Sequence, residues 1–92
     1  MFDGRNRPRR GDGVLAQQAA GMTLLLDPSS GEYFSLDEVG GRVWELCDGS
    51  RVPGEIASAI CAEYEAPFDE VHGDVIDLLS ELAAAALLEA DD

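Results

Sequence analysis

The sequence predicts an α+β fold, a three-stranded antiparallel sheet followed by three helices, and three observations carry that prediction. Between residues 13 and 36, apolar residues come in strand-length runs separated by turn residues. From residue 37 onward they recur every three or four positions, the spacing of a helix with one buried face. The period changes only once along the chain, so the sheet comes first and the helices pack on it.

The first strand is expected over Gly13 to Gln18, where Val14, Leu15 and Ala16 supply the apolar content. Met22 to Asp27 is a stronger run, ended by the turn cluster Pro28-Ser29-Ser30-Gly31. Glu32 to Leu36 follows, with Phe34 and Leu36 on one face and Tyr33 and Ser35 on the other.

Asp37 is a good N-cap for the first helix, in which Val39, Val43, Leu46 and Cys47 line one side with Trp44 beside them. Gly40 and Gly41 weaken this helix by about 1 kcal/mol each relative to alanine, which points to something packed close to its backbone. Gly49 reads as its left-handed closing residue. Pro53 opens the second helix, whose stripe is Ile56, Ala59, Ile60 and Tyr64. Pro67 opens the third, where Asp69 and Glu70 complement the helix dipole and Val71, Val75, Leu78 and Leu82 form the stripe. Ile76 and Leu79 widen it beyond one packing face.

Ninety-two residues make one domain, and 46% hydrophobic content suffices for a small core. The domain is expected over residues 12–90. Residues 1–11 show no apolar period and are expected to form a mobile basic tail. No run approaches the ~20 apolar residues of a membrane span. Arg5, Arg7, Arg9 and Arg10 stand where a secretory signal would need an apolar stretch, so a cytoplasmic location is expected. Cys47 and Cys61 read as reduced, small apolar residues.

The net charge of −13 is split unevenly: residues 1–10 carry +3 and residues 11–92 carry −16, with no lysine anywhere. Such a body repels phosphate backbones, so nucleic acid is an unfavoured partner. The acidity serves solubility on one reading and attracts a basic or polar peptide on another.

Catalytic chemistry finds no foothold. His72 is the only histidine and has no Cys or His at metal-ligand spacing, and the interval from Cys47 to Cys61 fits no zinc pattern. There is no phosphate loop and no nucleophile elbow. No catalytic residue, metal or cofactor is expected, and the chain is read as a non-enzyme.

From Gly13 to Leu88 the chain resembles the PqqD family, also described as recognition elements for ribosomally made, post-translationally modified peptides (RiPPs). The stretch Leu36-Asp37-Glu38-Val39-Gly40-Gly41-Arg42-Val43-Trp44-Glu45-Leu46-Cys47-Asp48-Gly49 carries the likeness. It matches a strand ending in Leu-Asn or Leu-Asp, then a small residue, an aliphatic-Trp pair, a leucine and a closing Asp-Gly. Glu55-Ile56-Ala57 and Val71 to Leu82 support it. The family usually breaks its last helix with a glycine before a final Leu-Leu. Here Ala83-Ala84-Ala85-Ala86 precedes Leu87-Leu88, so the helix is expected to run on.

The resemblance implies a winged helix-turn-helix-like fold that binds the leader segment of a precursor peptide as a strand added to the third β-strand. A short chain with no fused enzyme is similar to the recognition proteins of lasso-peptide biosynthesis, which hand the precursor to a leader peptidase. A PqqD-type peptide chaperone for a radical SAM enzyme is the nearest alternative.

The residues support that mechanism on their own. A strand that ends a meander is an edge with unpaired backbone groups, and strand addition uses those groups. Four or five hydrogen bonds at a net ~0.5–1.5 kcal/mol each do not offset an association cost of about 4–15 kcal/mol. Apolar anchors worth roughly 1.5–3 kcal/mol each must supply the rest. The candidate peptide-binding residues are therefore Glu32, Tyr33, Phe34, Ser35 and Leu36 for backbone pairing, with Val71, Asp74, Val75 and Leu78 flanking the peptide side chains. A winged-helix transcription regulator and a docking subunit that touches no substrate are the rival classes.

Overall fold

The computed structural model describes residues 5–91. Strands β1 (Arg7–Arg10), β2 (Leu15–Ala19), β3 (Met22–Asp27) and β4 (Glu32–Leu36) precede helices α1 (Glu38–Leu46), α2 (Pro53–Tyr64) and α3 (Phe68–Ala84), and β5 (Leu88–Asp91) follows. Strands β2, β3 and β4 form the three-stranded antiparallel sheet in that order, and the helices follow it, so the α+β arrangement is as expected.

Turn chemistry sets the register of this sheet. The β2–β3 hairpin turns on Ala20 and Gly21, both at positive φ (53° and 80°), the conformation that matches the right-handed twist of the strands. At the next hairpin Gly31 has φ 75° and donates its N–H to the Asp27 carbonyl at 2.8 Å. Along β3 Thr23 and Leu25 are buried, while Met22, Leu24 and Leu26 face away from the helices.

Two apolar clusters meet above the sheet. Leu25, Leu36, Trp44, Leu82 and Leu87 join the strands to the helices. Val43, Leu46, Ile56, Ile60, Val75 and Leu79 join the three helices to one another. Arg42 makes a two-point contact with Glu63 (Nε to Oε1 2.8 Å, Nη2 to Oε2 2.9 Å) that ties α1 to α2. Cys47 is buried, donates its Sγ hydrogen to the Val43 carbonyl and has its pKa pushed up to about 12 by burial. It is an unreactive core thiol.

Three expectations are corrected here. The tail expected over residues 1–11 extends at residues 1–4 outside the described residues, and from Arg7 to Arg10 the chain is strand β1 instead. It pairs antiparallel with β5, Arg9 opposite Glu89, and those two side chains form an ion pair at 2.9 Å. Arg10 then donates to the Trp44 and Glu45 carbonyls (3.3 and 2.7 Å), placing a cation on the negative end of α1.

The last helix does not run on. It stops at Ala84, and Ala86 takes the left-handed conformation (φ 61°) that glycine usually supplies. Leu87 N–H donates to Leu82 and Ala86 N–H to Ala83, the paired bonds of a Schellman ending. An alanine in this conformation costs about 1 kcal/mol. Finally, Gly49 is left-handed (φ 83°) but lies beyond the Cys47 cap of α1, donating its N–H to the Pro8 carbonyl of β1.

Four carboxylates are held below the usual carboxylate range: Asp27 by Ser29, Asp48 by Ser50, Glu63 by Arg42 and Glu89 by Arg9. A depressed folded-state pKa contributes stability above the unfolded value, lost as pH falls through the folded one. Thermal melts between pH 7 and pH 2.5 should therefore hold their midpoint to about pH 4 and fall below it. A midpoint rising monotonically down to pH 2.5 would show that relief of the net charge of −13 outweighs these contacts.

Candidate functional site

Strand β4 pairs with β3 on one side only, and among the described residues no strand lies along its other side. Residues on that free edge leave backbone N–H and C=O groups without ladder partners. Next to the edge is a groove of about 360 Å³, bounded by β4, the first turns of α1 and the outer face of α3. Its floor is apolar: Phe34 and Leu36 from β4, Val39 and Val43 from α1, Val75 and Leu78 from α3.

The strand period explains which β4 residues reach the groove. Leu36 is buried and Phe34 half-buried, both inward, whereas Tyr33 is 72% exposed. Seven of the nine predicted residues line this groove: Phe34, Ser35, Leu36, Val71, Asp74, Val75 and Leu78. Glu32 and Tyr33 do not. Glu32 sits at the hairpin end opposite Asp27, and Tyr33 stands opposite Leu26 on the outward sheet face.

Sequence reasoning missed the contribution of α1. Val39 was expected in the core, yet it is 38% exposed and forms a groove wall. Asp37 and Gly40 close the end of the groove, with the Asp37 Oδ1 accepting the Gly40 N–H at 2.7 Å as the helix cap. Glu81 also lines it, seven residues after Asp74 on α3. That heptad spacing was the available signal, since it returns a helix to nearly the same face.

Larger hollows, of about 460 to 580 Å³, lie elsewhere on the surface. Each contains an arginine already engaged: Arg42 by Glu63, Arg9 by Glu89, Arg10 by the α1 carbonyls. Strand β2 is the sheet's other edge, and the β4 groove differs in its mainly apolar lining, which among the described residues holds no arginine.

A second apolar surface occupies the other face of the sheet. Leu15, Leu26 and Tyr33 stand opposite one another across the three strands, with Leu24 in the next row. All four are exposed, from 36% at Leu26 to 72% at Tyr33. His72 stacks on Phe68 at 5.3 Å between ring centroids. Among the described residues no group of three or more His, Cys, Asp or Glu side chains converges as a metal site, and no helix is long and apolar enough to cross a membrane.

Comparison with known proteins adds a family match, two curated relatives and three solved structures. Residues 23–88 match the family described as coenzyme PQQ synthesis protein D (PqqD). Two curated relatives carry the name PqqA binding protein. The one from Xanthomonas oryzae is 31% identical over 94% of this chain and 91% of its own length; for the one from Bradyrhizobium diazoefficiens, 36% identical over 56% of this chain, the match spans half of that protein.

Among solved structures, TbiB1 in complex with the TbiA(β) leader peptide is 38% identical, with a TM-score of 0.79 over 91% of this chain and 98% of that one. Lasso peptide synthetase B1 complexed with the leader peptide shares the fold at 22% identity, with a TM-score of 0.78 over 90% of this chain and 98% of that one. The PqqD truncation of Methylobacterium extorquens PqqCD, a stand-alone RiPP recognition element, is 28% identical, with a TM-score of 0.81 over 97% of this chain and 95% of that one.

Proposed function

The chain belongs to the PqqD family, and on that premise we propose that it binds the leader segment of a ribosomally made precursor peptide as a fourth strand on β4. The observation that carries this reading is the unpaired β4 edge lying against an apolar groove. Backbone pairing along β4 supplies alignment, and side chains of the leader that enter the groove supply most of the affinity. Glu32 to Leu36 present the edge, and Val71, Asp74, Val75 and Leu78 meet the leader side chains. The protein carries no chemistry of its own in this role and works where precursor peptides are made, in the cytoplasm.

Delivery to a processing enzyme is the second half of the proposal, with a lasso-type leader peptidase the favoured recipient. The outward face of Leu15, Leu24, Leu26 and Tyr33 supports it, because an exposed apolar patch of this kind marks a protein-binding surface. The name of the Xanthomonas relative favours a second reading, a chaperone that brings a PqqA-like peptide to a radical SAM enzyme. DNA regulation is disfavoured by charge, since neither α2 nor α3 carries an arginine or lysine.

Fluorescence polarisation with labelled leaders of precursors encoded beside the gene tests the binding half. Saturation at micromolar concentration or below, lost when the leader is deleted, is the expected result. Absence of binding by the folded protein to any such peptide would overturn it. Leu26→Asp should leave leader affinity unchanged while weakening co-purification with the processing enzyme, and the enzyme retained by the wild type decides between peptidase and radical enzyme.

A further inference from the structure

The charge lining the β4 groove carries one inference further, resting on the reading of that groove as the leader site. Three carboxylates surround its apolar floor, Asp37 at the start of α1 and Asp74 and Glu81 on α3, and among the described residues no cation lines it. Asp37 caps its helix. Among the described residues, Asp74 and Glu81 make neither an ion pair nor a hydrogen bond through their side chains. The arginines of the helical layer are engaged elsewhere, Arg42 with Glu63 and Glu45, Arg51 with Asp48.

A strand laid on β4 covers this floor and takes water away from the carboxylates beside it. Desolvating a carboxylate without a partner opposes binding, and an acidic side chain on the peptide adds repulsion. A basic side chain removes both costs. The spacing fits: Asp74 and Glu81 are about 10.5 Å apart along α3 at ~1.5 Å per residue. Successive helix-facing residues of an added strand stand about 6.6 Å apart. Two apolar side chains therefore fit over Val75 and Leu78 between the carboxylates, and a long basic side chain at either flank reaches one of them.

We infer that the groove selects an extended peptide with apolar side chains at positions i and i+2 and a lysine or arginine within two residues of that pair, paired with Asp74 or Glu81. The surface at Asp74 and Glu81 is exposed, so variants there keep the fold, which circular dichroism verifies.

The test uses a leader peptide from a neighbouring precursor, titrated by fluorescence polarisation in 50 and 300 mM NaCl. Three forms are compared: natural, with the flanking Lys or Arg changed to Gln, and with it changed to Glu. The Gln form should bind roughly 5–20-fold more weakly, the Glu form more weakly still, and the gap should shrink at high salt. In the Asp74→Asn, Glu81→Gln double variant the three forms should bind alike, and in Asp74→Lys, Glu81→Lys the Glu form should bind best.

Equal affinities of all three forms for the wild type would overturn the inference while leaving the leader reading intact. A natural leader that binds tightly with no basic residue in that window would do the same. No binding of any form would remove both.

Discussion

Val39→Asp is expected to weaken leader binding about 30–300-fold while leaving the fold in place. Val39 is 38% exposed in the free protein and forms the α1 wall of the groove. It stands in the first turn of α1, just after the Asp37 cap and Glu38, where a carboxylate interacts favourably with the helix dipole. The free protein can therefore accept the new charge, which remains hydrated. Once a peptide strand covers the groove, that carboxylate is buried among apolar side chains beside Asp37 and Asp74, with no partner of its own. A cost of about 2–3.5 kcal/mol follows, at 1.4 kcal/mol per tenfold in affinity.

The same substitution at Val75 is a poorer probe. Val75 also lines the groove, but it is only 2% exposed and packs in the helical core with Leu46, Ile60 and Leu79. A carboxylate there is buried with or without peptide, so unfolding and loss of binding become inseparable. Titration of Val39→Asp, alongside a thermal melt, separates them. An affinity within threefold of the wild type, in a protein that melts normally, would remove the groove as the site.

What the sequence made legible is what is decided locally. Alternation in Glu32 to Leu36 and the Pro28 to Gly31 turn located the edge strand, and the broad stripe on α3 located the facing wall. Which α1 residues are core and which line the groove is decided by the neighbours that pack on them. Val39 and Val43 look alike on a helical stripe, yet Val43 is 1% exposed and Val39 is not buried.

The β1–β5 pair was illegible for a different reason. Arg7-Pro8-Arg9-Arg10 has no apolar alternation, and its partner lies some eighty residues away. Backbone bonds, the Arg9–Glu89 pair and a fully buried Pro8 hold it, and none of these leaves a local pattern. The stop at Ala86 was hidden likewise, because the residue that breaks the helix has one of the highest helix propensities.

The glycine pair in α1 gives the largest expected effect on stability. Gly41 lies against Thr23 of β3, and a Cβ there would overlap the Thr23 Oγ1 and come within 3.2 Å of its Cβ. Thr23 is 5% exposed on the central strand, so its backbone has little room to yield. In an open helix, alanine would gain about 1 kcal/mol over glycine. Overpacking here costs about 1–3 kcal/mol or more, so Gly41→Ala should destabilise.

Gly73, on the exposed side of α3, meets nothing within 4 Å and is the control, since Gly73→Ala should stabilise by up to about 1 kcal/mol. The two variants should thus differ by about 2 kcal/mol, or roughly 8–16 °C in Tm for a domain this size. Gly41→Ala should also lower leader affinity, because pushing α1 off β3 moves the groove wall that carries Val39 and Val43. Equal melting temperatures for the two variants would mean that α1 can shift freely on the sheet. The groove would then take its width from the bound peptide rather than from the close approach of Gly41 to Thr23.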